Sequence, residues 1–150
     1  MKDLARCAAA VALCIPITIC QARGVSAVTI EQSGQTSSPD DPMTRDACAN
    51  FTPTAAQLER FFSRAAPIDG RFVAHDYYSP CHSSGTVSFP DGSSGRWRVY
   101  SSGTASLTWA SNGNTVYLYN GRHNGWHDPF ACSYGLHDED DDASCYLPGF

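Results

Sequence analysis

The sequence predicts a small mixed α+β domain: one N-terminal helix packed on an antiparallel β-meander of about five strands, stabilised by disulfides. Three observations carry this expectation. One segment has helical periodicity, a series of short alternating segments separated by turn residues follows it, and an even set of cysteines remains once the N-terminal segment is set aside. A chain of 150 residues with 42% hydrophobic and 17% charged residues is apolar enough to fold around one core, which argues against a disordered chain.

Residues 1–27 read as a signal peptide. Lys2 and Arg6 supply a positive start, and CAAAVALCIPITIC from Cys7 to Cys20 supplies the apolar stretch. That stretch is too short to span a bilayer, and Pro16 interrupts it. Val25-Ser26-Ala27 is the first cleavage motif and Cys20-Gln21-Ala22 the second. Ile19 before Cys20 is too large for lipoprotein processing. The expected location is therefore periplasmic or secreted, with no membrane span in the mature chain. Residues 28–47, polar and carrying two prolines, are expected to be a flexible leader, and residues 48–150 a single domain with an irregular C-terminal tail.

The helix is expected over residues 54–66. Thr54 and Gln57 match a capping box, and Leu58, Phe61, Phe62 and Ala65 share one face. Strands are expected at 71–78, 85–89, 96–100, 104–109 and 114–119, the last after the Asn112-Gly113 turn signal. Ser-Ser-Gly recurs at 83–85, 93–95 and 101–103, where Ser and Gly suit turns that precede strands.

Of seven cysteines, Cys48, Cys81, Cys132 and Cys145 lie beyond the signal segment. In an exported domain they read as two disulfides, with three connectivities open. Cys48–Cys81 with Cys132–Cys145 is the preferred set.

Charge narrows the partners. The formal net charge of the chain is −5; without residues 1–27 it becomes −7, because Lys2, Arg6, Arg23 and Asp3 are removed. Nucleic acid is disfavoured by that field, and a protein partner of basic character is favoured. No catalytic set emerges. His123 and His127 stand four apart, but Asn124-Gly125 between them makes a poor helix, and the H-E-x-x-H glutamate is missing. No cofactor or metal is expected, and the chain is not expected to be an enzyme. A small metal-assisted hydrolase built on that histidine pair is the alternative, and a structural envelope or secreted component a further one.

Two binding elements are expected instead. Arg96, Arg98 and Tyr100 alternate with Trp97 and Val99, and Tyr117 and Tyr119 alternate with Val116 and Leu118. If the aliphatic set faces the helix, the opposite face displays Arg and Tyr, the residue types that dominate protein-binding hot spots. The tail beyond Gly121 folding over that face is the competing expectation. The second element is the acidic run Asp138, Glu139, Asp140, Asp141 and Asp142, read either as a solvated loop or as a steering surface for a basic partner.

Phe51-Thr52-Pro53, Phe61-Phe62, Phe72-Val73-Ala74-His75 with Tyr77, Pro80-Cys81, Arg96-Trp97-Arg98-Val99, Gly103-Thr104-Ala105 and Val116-Tyr117-Leu118-Tyr119 carry a resemblance. On them, the stretch from Cys48 to Tyr119 resembles small uncharacterised exported proteins of Gram-negative bacteria. Some small exported proteins of this build act as immunity proteins, so the resemblance implies a binding or inhibitor role and supplies no site residue.

Overall fold

The computed structural model describes residues 24–75, 77–121 and 124–131. They form a mixed α+β fold around a six-stranded antiparallel sheet. The strands are β1 (Ala27–Thr36), β2 (Ala66–Ile68), β3 (Cys81–Ser88), β4 (Ser94–Tyr100), β5 (Thr104–Trp109) and β6 (Thr115–Tyr119), and the helices α1 (Pro42–Cys48), α2 (Ala55–Arg64) and α3 (Gly70–Ala74). The sheet order is β1-β3-β4-β5-β6-β2, so the meander β3 to β6 sits at the centre with an early strand on each edge.

The helix at 54–66 and the last three meander strands lie close to their expected positions. Thr54 caps α2 reciprocally: its Oγ1 accepts from the Gln57 N–H at 3.3 Å, and its own N–H donates to Gln57 Oε1 at 2.8 Å. Leu58, Phe61 and Phe62 then point into the core.

The departures are instructive. Residues 28–47, expected as a leader, form β1 and α1. Val28 and Ile30 pack against the core while Ala27 and Thr29 face out, so a short alternation becomes an edge strand beside β3. Asp41 caps α1, accepting from the Met43 N–H at 3.1 Å, with Pro42 in the first turn, where a missing N–H costs nothing. The cleavage motif Val25-Ser26-Ala27 runs into this strand: the Ser26 N–H donates to Ser88 O at 2.8 Å.

The strand expected at 71–78 is instead α3 followed by a loop. Asp69 accepts from the Arg71 N–H at 2.9 Å and starts a helical turn. β2 already occupies the free edge of β6, which removes the pairing partner a strand there would need. The strand expected at 85–89 begins earlier, at Cys81, so the Ser-Ser-Gly at 83–85 lies inside β3. Gly85 is required there because a Cβ would stand 1.9 Å from the Thr29 carbonyl oxygen and 2.8 Å from the Trp97 ring. Only the Ser-Ser-Gly at 101–103 makes a turn, with Gly103 at φ 83°.

The core lies between α2 and the inward face of β3–β5. Phe61 is the hub, with ring centroids 5.3 Å from Phe62 and 5.4 Å from Trp126. Phe51 meets Trp126 edge-on at 5.8 Å, and Phe62 reaches Trp97 at 6.0 Å. Cys48 and Cys81 are bonded as expected, both fully buried, joining the end of α1 to the start of β3. Cys132 and Cys145 lie outside the described residues.

The segment 124–131 has little regular structure yet is tightly held. The Trp126 indole N–H donates to Ser101 O at 3.0 Å, and Gln57 reaches across from α2 to the Gly125 carbonyl. Ser101 Oγ lies 2.6 Å from both Ser79 Oγ and Asp128 Oδ1. Among the described residues, no helix is long and apolar enough to cross a membrane.

Candidate binding face

Strand register puts all five expected sheet residues on the face opposite α2. Arg98 pairs with Ser84 on β3 and Ser106 on β5, and Ser106 pairs with Tyr117, so a cross-strand row reads Ser84-Arg98-Ser106-Tyr117. Arg96 belongs to the next row, Thr29-Thr86-Arg96-Thr108-Thr115. Tyr100 pairs with His82, and Tyr119 with Thr104. The inward set is the complement: Val87, Trp97, Val99, Ala105 and Leu107 are buried. Strand alternation alone produces this separation, which is why it was legible in sequence.

The face is not uniform. Along β6 it is covered from the α3 side: Gly70 sits so close to the Tyr117 ring that a Cβ would meet it at 2.7 Å, and Tyr77 stacks on Tyr119 with centroids 4.6 Å apart. The expected alternative, a cover made by the tail, is met at its start, where Gly121 lies so close to the Tyr119 ring that a Cβ would stand 2.5 Å from its Cζ. Residues 124–131 pack on the α2 side through Trp126, and residues 132–150 lie outside the described residues. Over β3, β4 and β5 the face carries exposed Arg96 and Arg98 among hydroxyl side chains.

The two arginines differ. Arg96 reaches over β3 to Glu31 at 2.7 Å. Arg98 is exposed and has no ion pair among the described residues. β3 to β6 contain no Asp or Glu at all, so nothing on these strands offsets the guanidiniums. Beside Arg98 on the same face stands His82, buried, its ring 5.9 Å from Tyr100. Burial pushes the His82 pKa down and the Arg98 charge adds to that, against a smaller opposing effect of the Pro80 backbone. The Nδ1 of His82 has no hydrogen-bond partner among the described residues.

The acidic run at 138–142 lies outside the described residues, as does His123. His127 is exposed, and no three His, Cys, Asp or Glu side chains converge among the described residues.

Sequence reasoning missed an apolar cleft of about 380 Å³ on the opposite side of the sheet, between the end of α2 and β5–β6. Phe62, Phe89, Leu107, Trp109, Val116 and Leu118 line it. Its origin is geometric. A helix is about 10 Å wide and strands lie about 4.8 Å apart, so one helix covers two or three strands and leaves Trp109 at the end of β5 and Val116 and Leu118 on β6 half-covered. The signal was present as a mismatch between one long helix and a wide sheet, but it required the sheet order to be known. Comparison of the chain with protein-family models, with curated proteins and with solved structures finds no match.

Proposed function

We propose that this chain is an exported protein-binding domain, of the immunity or inhibitor kind, that engages its partner through the outward face of the sheet. The observation that carries this is Arg98: an exposed guanidinium, free of any ion pair among the described residues, in one row with Ser84, Ser106 and Tyr117. An Arg and a Tyr two strands apart in one row of a regular sheet, with a serine between them, supply directional and apolar contacts at little cost in backbone ordering. The buried Cys48–Cys81 disulfide favours an oxidising compartment, periplasmic or extracellular. The immunity-like part of the reading rests on the sequence resemblance.

The acidic run at 138–142 and the arginine face carry opposite signs and would not favour the same surface of a partner. In this reading the face makes the short-range contacts, and the run sets the encounter rate with a basic partner. Affinity capture from envelope and culture extracts with oxidised protein tests it, using the wild type, Arg98→Gln and a chain with 138–142 neutralised as baits. A protein kept by the first bait and lost by the second supports the face. Equal retention by all three removes both elements from the interface.

A further inference from the structure

We propose that the apolar cleft between the end of α2 and β5–β6 is a binding site for a single-chain amphipathic carboxylate of about ten carbons, its tail in the cleft and its head at Arg64. The cleft lies on the side of the sheet opposite the arginine face, so the site stands or falls independently of the binding reading above.

Shape is the first argument. The cleft holds about 380 Å³, near the lower end of the range for small-molecule sites. At about 30 Å³ for each non-hydrogen atom, roughly the share of one molecule in liquid water, that volume takes about twelve atoms, the size of decanoate. A partner's helix, about 10 Å across, is too wide for it. The lining is the second argument. Phe62, Phe89 and Leu107 are buried, whereas Trp109, Val116 and Leu118 are half-covered, so an apolar tail removes the remaining surface of those three from water. Ser63, the only hydroxyl side chain in the lining, already donates to the Arg60 carbonyl at 2.9 Å. Charge is the third argument. Arg64 is the only charged residue lining the cleft; it is exposed and has no ion pair among the described residues. β2, β5 and β6 contain no Asp or Glu, and α2 contains only Glu59. An anionic head therefore meets a cation at the cleft and no carboxylate in its lining. Arg64 also stands in the last turn of α2, where it offsets the terminal carbonyls, so the tail is expected to supply most of the affinity and the head to set the preference.

Titration of the oxidised full chain at neutral pH with octanoate, decanoate, dodecanoate and decanol, followed through the methyl NMR signals of Val116 and Leu118, tests the site. Both sets of signals should move saturably. The dissociation constant should fall by up to about fourfold for each methylene from octanoate to decanoate, the transfer free energy of one CH2, and level off at dodecanoate, when the cleft is full. Arg64→Gln should weaken decanoate by up to about fivefold more than it weakens decanol, the range of an exposed ion pair. Val116 and Leu118 signals unmoved by all four probes overturn the proposal, as when another part of the chain or a second copy already fills the cleft. Affinity that climbs evenly through dodecanoate overturns it as well, because unspecific partition has no length limit. Decanoate and decanol weakened equally by Arg64→Gln overturn the assignment of a carboxylate. None of these outcomes bears on capture of a protein by the outward face.

Discussion

The two faces of the sheet are made by the same strands and obey different physics. Inward, Trp97, Val99, Ala105 and Leu107 are buried under α2 and the ring cluster, and a disulfide lies beside them. Outward, β3 to β5 carry hydroxyls, Arg96 and Arg98, with an ion pair from Arg96 to Glu31 and partial cover from Gly70 and Tyr77 along β6. The inward face is held by apolar contacts that tolerate little change in volume. On the outward face Ser84, Arg96, Thr108 and Thr115 hold side-chain partners, whereas Arg98 is exposed and has no ion pair among the described residues. Stability is thereby assigned to one side of the sheet, and the proposed binding to the other.

If that division is right, the largest losses of stability come from the inward side. Phe61→Ala empties the hub between Phe62 and Trp126 and should cost about 3–5 kcal/mol in urea denaturation. Replacing Cys48 and Cys81 together by serine opens a cross-link between residues 33 apart, with an expected loss of about 3–4 kcal/mol, also read from denaturant midpoints. Ser101→Ala leaves Ser79 and Asp128 without their shared hydroxyl and should cost about 1–3 kcal/mol, with amide exchange accelerating first in 124–131.

Acid tests the boundary between the faces. His82 is held neutral in the folded chain, so its contribution to stability is full above its ordinary pKa of about 6.5. It falls as pH drops below that value towards the depressed folded pKa. Unfolding midpoints should therefore decline as the pH falls below about 6.5, and His82→Gln should flatten that part of the curve. A slope unchanged by the substitution would place the acid sensitivity elsewhere. The smallest stability effect is expected at Arg98→Gln, within about 0.5 kcal/mol, because the side chain is exposed and unpaired among the described residues. A loss above 2 kcal/mol would make Arg98 structural and break the comparison.

Much of this division was written locally. Trp97 and Val99 against Arg96, Arg98 and Tyr100 already separate two faces, and the Thr54–Gln57 box already marks where α2 begins. What failed were segments whose state depends on distant partners. In 28–47 the Pro and Asp residues suggested a leader, whereas Val28 and Ile30 find a ladder on β3 more than fifty residues later. In 71–78, Phe72, Val73, Tyr77 and Tyr78 have the propensity of a strand, but β2 already takes the edge of β6, and Asp69 turns the chain into α3. Ser83 and Gly85 look like turn residues, yet close approach of β1 is what fixes a glycine at 85.

The sequence by itself determined the capped helix, the alternation that separates the Arg/Tyr side from the aliphatic side, and the cysteine pair that could staple the domain, because each depends on neighbours a few positions away or on residue chemistry alone. Only the tertiary structure decided that two early strands would flank the meander, that Trp126 would return to the α2 side of the sheet, and that β5 and β6 would be left with a half-covered apolar cleft. Those outcomes depend on which sheet edges remain free and how wide a sheet one helix can cover, and such long-range pairing has no local code.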